Sequence, residues 1–212
     1  MKERPILFSG PMVRAILDGT KTQTRRVLTR LTGFPHVHDF EALATDYRWD
    51  WRFRGRGEAH IELFHKGLLE RCPYGVIGDR LWVRETCWVN RLTRKFAWYV
   101  HQDVVQVDPE RDEVKKRPAI HMLRADARIL LEITDVRVQR LHEISEDDAR
   151  AEGCWRGDED EYIGVNVHDS ATGKTEPATA IEMFQFLWAS INGADSWNAN
   201  PFVWCLSFRK VE

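Results

Sequence analysis

Gly19-Thr20-Lys21-Thr22-Gln23-Thr24-Arg25-Arg26 is the stretch on which the reading of this chain turns. Just upstream, Pro5-Ile6-Leu7-Phe8 is an apolar run too short to be a helix by itself. Ser9-Gly10-Pro11 carries helix-start chemistry, with Ser9 or Gly10 as cap and Pro11 suited to the first turn. Met12, Ala15, Ile16 and the adjacent Leu17 give a helical apolar face, and Gly19 is placed as its C-terminal stop. Strand, turn and helix thus lead directly into six almost wholly polar residues, Lys21 to Arg26. A hydrophilic segment pinned after a packed helix is where a fold commonly displays chemistry.

Working outward, Arg80-Leu81-Trp82-Val83-Arg84-Glu85-Thr86 alternates apolar with polar or amphipathic residues and predicts a strand. Phe96 to His101 is another candidate. Residues 128–138 read as a long strand broken near Asp135. Phe202, Trp204, Leu206 and Phe208 alternate along a closing strand after Pro201. Ser145 opens a short helix, with Asp148 in a capping-box-like position and Gly153 closing it. Thr179 and Glu182 make a capping box ahead of a helical face of Ile181, Phe184, Leu187, Trp188 and Ile191. The segment from Arg48 to Arg56 alternates aromatic and charged residues, as a solvent-facing hairpin strand would, while 108–118 and 156–178 read as loops. About six strands and three helices, without βαβ repetition, predict an α+β fold around a curled sheet.

The 212 residues suffice for one substantial core, and a single domain over 1–212 is expected, with insertions around 30–70 and 156–178. No run of eighteen apolar residues exists and the charged N-terminus lacks a signal-peptide core, so no membrane partner is expected. Cys72, Cys87, Cys154 and Cys205 are scattered without a C-x-x-C pair, which favours a reducing cytoplasm over a disulfide framework or zinc site. His36, His38 and Asp39 lack further spaced ligands, so no metal and no cofactor are expected. A net charge of −2 confines any nucleic-acid affinity to a local patch. The nine tryptophans serve packing first, and stacking on bases second.

From Ile16 to Arg26 the chain resembles the signature of the ASCH family, PUA-like domains linked to RNA and modified bases. Three further segments carry the resemblance in the same order: Ile77 to Thr86, Ile144 to Gly153, and Trp197 to Trp204. Together they are similar to the longer ASCH proteins of phage and prophage genomes. The resemblance implies a β-barrel with a few flanking helices. One branch of the family hydrolyses the exocyclic amide of N4-acylated cytidines, and its proposed catalytic positions correspond here to Lys21, Thr24 and Glu152. Glu143, Glu146, Asp147 and Asp148 lie close enough to stand in for the third. The resemblance further places Thr22, Arg25, Arg26, Trp82, Arg84 and Glu85 near a small nucleoside ligand.

Amide hydrolysis by this set needs a nucleophile, a base and a group that holds the developing oxyanion. Thr24 serves as nucleophile if Lys21 takes its proton, which requires a neutral amine and costs roughly 4–5 kcal/mol at pH 7 for an unperturbed lysine. Alternatively, Glu152 accepts the proton while Lys21 stays charged and binds the oxyanion. In an ideal strand, positions 21 and 24 face opposite ways, so a joint site needs a turn or bulge between them. Two other readings stand beside the hydrolase. One is a polar edge strand with solvated charges. The other is a non-catalytic module for RNA or a modified base, supported by Arg25, Arg26, Arg30 and the Arg48–Arg56 segment; RNA cleavage is a third activity open to a Lys-based cleft.

Overall fold

A computed structural model describes residues 1–34, 36–44, 49–54, 60–100, 108–109, 112–154 and 179–211. The architecture is mixed α+β, with eleven strands in three sheets and four α-helices among the described residues. The loop expected at 156–178 lies outside them, as do Arg48, Gly55 and Arg56.

The main sheet is built from Glu3–Leu7 (β1), Gln23–Val27 (β2), Arg80–Arg84 (β6), Leu130–Arg140 (β10) and Phe202–Val211 (β11), in the order β1-β6-β10-β11-β2. Only the β1 and β6 pair is parallel. β10 carries the break expected near Asp135, a bulge between Ile133 and Asp135 where it pairs with β11. β11 is buried on both faces. Trp204, Leu206 and Phe208 join one apolar core with Val13 and Ile16 of helix α1 (Gly10–Leu17), and Val203 and Cys205 join a second with helix α4 (Ala180–Asn192).

The sheet curls but does not close, which corrects the expectation of a barrel. Four strand spacings of about 4.8 Å would hold β1 and β2 roughly 19 Å apart in a flat sheet. Yet Arg26 on β2 donates from Nη2 to the carbonyl of Leu7 on β1 at 2.8 Å, and the Phe8 and Phe208 rings lie 6.1 Å apart. Side chains make the contact across the seam, and among the described residues no backbone ladder joins the two edges.

The second sheet pairs His38–Ala44 (β3), Trp49–Arg54 (β4) and His60–Phe64 (β5), followed by helix α2 (His65–Leu69). The strand expected around Arg48 to Arg56 is therefore central in its sheet and not simply solvent-facing. Trp51 and Phe53 are buried in the main core, where Phe40, Trp51 and Phe202 form an aromatic cluster. The third sheet pairs Cys87–Asn90 (β7) between Phe96–Tyr99 (β8) and Val114–Arg117 (β9). β9 corrects the loop expected at 108–118: Val114 is buried and its lysine neighbours are carried along by the ladder to β7. Helix α3 (Glu146–Ala151) begins at Ser145, whose hydroxyl accepts from Asp148 N, and Gly153 follows it at φ +80°. No helix among the described residues is long and apolar enough to cross a membrane.

Candidate functional site

The chain leaves α1 through Gly19 and runs into β2 with its polar side chains turned inward. Lys21 is 2% exposed, Thr24 0% and Arg25 2%, so the reading of this stretch as a solvated edge is overturned. The backbone explains the placement. Lys21 N donates to Ala15 O, Thr22 N donates to Ala151 O, and Lys21 bridges to Glu152. This segment is thereby clamped between the end of α1 and the end of α3.

α3 supplies the counter-charges. Asp148 and Glu152 are four residues apart, which sets both carboxylates on one side of the helix end. Lys21 Nζ donates to Glu152 Oε2 at 2.7 Å, to Glu152 O at 2.7 Å and to Gln23 O at 2.8 Å. Three N–H donors thus meet three acceptors. Burial pushes the Lys21 pKa down, against the pull of the Glu152 carboxylate. The protonated form nevertheless matches its surroundings, because a neutral amine would turn its lone pair toward one of three oxygens. Arg25 completes the clamp from β2, on the same face as Gln23. Its Nη1 donates to Glu152 Oε1 at 3.2 Å and its Nη2 to Asp148 Oδ2 at 2.7 Å.

Asp148 is itself held on its other oxygen by Arg137 Nη2 at 3.0 Å and by Gln23 Nε2 at 3.1 Å. Burial works against this carboxylate, but the bonds from Arg137, Arg25 and Gln23 outweigh it and hold its pKa below the ordinary value. Gly153 allows the close approach: a Cβ there would stand 3.0 Å from Lys21 Cβ and 3.1 Å from Ala15 Cβ.

Thr24 and Arg26 belong to the opposite face of β2, as the strand period requires. The Thr24 hydroxyl accepts from Arg26 Nη1 at 2.9 Å and makes no bond to Lys21. Thr22 is exposed; its carbonyl accepts from Phe208 N. A cavity of about 410 Å³ opens against this region, lined by Arg25, Arg26 and Glu152 on one side and by Phe8, Phe184 and Trp188 among its apolar walls. That size is within the range of small-ligand sites. Lys21 and Thr24 contribute nothing to its lining.

The remaining expected residues lie elsewhere. Trp82 is buried beneath the Arg84 guanidinium, which sits 4.7 Å from its ring and donates to Ile120 O. Glu85 is 1% exposed and takes a two-pronged bond from Arg128 at 2.9 Å on each oxygen. None of the three lines the cavity. The alternative carboxylates have other work: Glu143 accepts from Arg140 N, Glu146 from Ala180 N at the start of α4, and Asp147 pairs with Arg150 at the surface. Sequence reasoning missed Gln23 and Arg137. The spacing of Gln23 between Lys21 and Arg25, at a period of two, was the available signal for the first.

A larger cavity, about 950 Å³, is lined by Trp51, His65 and Phe202. Its charged lining residues Glu41, Lys66, Arg140 and Glu143 are all exposed, so it lacks the buried, mutually fixed ionic groups found around Glu152. Size alone does not carry chemistry, and the smaller cavity is the stronger site. No group of three or more His, Cys, Asp or Glu side chains able to hold a metal occurs among the described residues. All four cysteines are buried and free; burial raises Cys72 to about 11 and Cys154 and Cys205 to about 12, which leaves them as packing residues. No protein-family model, curated protein or solved structure matches the chain, so the chemistry must be argued from these residues.

Proposed function

We propose that this chain is an ASCH-like, PUA-related amidohydrolase that cleaves the exocyclic amide of N4-acylated cytidine or cytosine. The observation that carries the reading is Glu152, the carboxylate on the wall of the aromatic cavity, gripped on its two oxygens by Lys21 and Arg25. A carboxylate has further lone pairs to offer, so Glu152 can still accept a proton from a water in the cavity. In this mechanism that water attacks the acyl carbon and its proton passes to Glu152. The carbon–nitrogen bond then breaks, and Glu152 returns the proton to the departing N4 amine, giving free cytosine amine and a carboxylic acid. Lys21 stays protonated and sets the orientation of Glu152. This assigns the base role to Glu152, because Lys21 is saturated as a donor. It also moves Thr24 from nucleophile to support for Arg26, because its hydroxyl is closed from solvent and already engaged.

Release of cytidine from N4-acetylcytidine and N4-benzoylcytidine tests the proposal, comparing wild type with Glu152→Gln and Thr24→Val, each checked for folding by circular dichroism. Glu152→Gln is expected to lower kcat by about 10²-fold or more. Thr24→Val is expected to keep most of the turnover, because the hydroxyl takes no part in the reaction; abolished turnover in folded Thr24→Val would restore the hydroxyl as nucleophile. Absence of turnover in the wild type would sink the hydrolase reading.

A second reading, a non-catalytic pocket for a modified base, is favoured by the same saturation of Lys21 and Thr24: neither lines the cavity and both are engaged by their own neighbours, so neither offers a ligand a reacting atom. It predicts saturable binding of N4-acetylcytidine with no product.

A further inference from the structure

Arg26 differs from every other cation of the site. Lys21 and Arg25 are bonded to carboxylates, whereas the Arg26 guanidinium is held by neutral oxygens alone: Nη1 donates to Thr24 Oγ1 at 2.9 Å and to Arg25 O at 3.0 Å, and Nη2 to Leu7 O at 2.8 Å. It stands 5.2 Å from the centre of the Phe8 ring, so both its position and its plane are fixed. No carboxylate pairs with it among the described residues, although it lines the cavity. Glu152 attracts it only at longer range, because Oε2 is bonded to Lys21 and Oε1 to Arg25. A second observation points the same way. Arg25, also on the cavity wall and 2% exposed, keeps its Nε–H buried without an acceptor among the described residues. Such an orphaned donor is costly unless a ligand supplies the missing oxygen.

A buried or half-buried cation without a counter-ion is expensive in an empty site and favourable in an occupied one if the ligand brings negative charge. A guanidinium with a fixed plane is suited to oxoanions in particular, because its N–H groups match phosphate geometry. We infer that the ligand of this cleft carries a phosphate bound by Arg26, so that an acylated cytosine nucleotide is taken in preference to the uncharged nucleoside. The inference rests on the nucleobase reading of the cavity and extends it from the base to the ligand's charge. It assigns Arg26 to substrate selection and leaves the proton transfer to Glu152.

The experiment is calorimetric titration of the full chain with three probes, cytidine, cytidine 5′-monophosphate and inorganic phosphate, using wild type, Arg26→Gln and Arg26→Lys. The monophosphate is expected to bind wild type about tenfold more tightly than cytidine, the scale of one charge-assisted contact. That advantage should vanish in Arg26→Gln, whose affinities for cytidine and its monophosphate become equal, and persist in part in Arg26→Lys, which keeps the charge without the fork. Equal binding of cytidine and its monophosphate by wild type would overturn the phosphate assignment while leaving the base pocket standing. Phosphate binding that depends on Arg26, with no contribution from cytosine, would uphold the anion site and remove the nucleobase reading. Failure of all three probes to bind would overturn both. If Arg26→Gln fails to fold, the wild-type ratio and Arg26→Lys still decide the question.

Discussion

Two stretches of this chain look alike as sequence and end in opposite environments. Lys21 to Arg26 and Trp51 to Arg54 are both short, strongly charged strands beside the main core. On β4 the charged side chains turn outward: Arg52 meets Glu41 at 3.5 Å and Glu62 at 2.8 Å, all three half-exposed or exposed, while Trp51 and Phe53 go in. On β2 the charges themselves go in. The difference lies in the partners. Arg52 finds carboxylates on adjacent strands of its own sheet, whereas Lys21 and Arg25 meet Glu152 and Asp148, which come from 123 to 131 residues further along the chain. A charge is buried where a distant element brings its complement, and local pattern does not announce that event.

The sharpest way to break the comparison is Lys21→Met. It takes the donor from Glu152 Oε2 and from the carbonyls of Glu152 and Gln23, all in a buried site, a loss expected to cost about 3–5 kcal/mol. Urea unfolding measures it through the midpoint. Adding Glu152→Met to Lys21→Met should recover only part of the loss, since Arg25 Nη1 then loses Glu152 Oε1 and Arg25 keeps Asp148 as its carboxylate. A loss below about 1 kcal/mol in the single variant would mean that Lys21 is solvated like Arg52.

A smaller effect sharpens the comparison by its pH dependence. The Asp148 pKa is below its unfolded value, so its contribution is fully present above the ordinary carboxylate value of about 3.9 and is lost as pH falls through the lower folded value. Asp148→Asn should therefore flatten the acid limb of the stability curve followed by thermal melting from pH 6 to pH 2. An acid limb equal to that of wild type would show that Arg137, Arg25 and Gln23 do not stabilise the charged form.

What was legible in the sequence follows the same division. Elements whose signals are local were readable: the Ser145 and Thr179 caps, the bulge near Asp135, and the alternation of β11. So was the position of Lys21 to Arg26 directly after the stop of α1. The inward turn of those side chains was not, because it depends on where α3 docks. β9 was misread for a related reason: three basic residues hide the single buried Val114 that anchors its ladder. The expected barrel stays open between β1 and β2, which Arg26 bridges by its side chain, and a residue-by-residue reading of strands contains no information about seams.

The smallest effect is expected on the exposed side of the comparison. Glu62→Gln removes the nearest partner of Arg52, whose bond to Glu62 Oε1 is 2.8 Å long. By distance alone it resembles the Lys21 to Glu152 bond at 2.7 Å. Both members of the surface pair are substantially solvated, however, so water and salt already screen their attraction, and Glu41 remains to take over. The loss should stay below about 1 kcal/mol and shrink further in 0.5 M NaCl, read from the same urea midpoint. A loss comparable to that of Lys21→Met would show that bond length, and not burial with a distant partner, sets the worth of an ion pair in this protein.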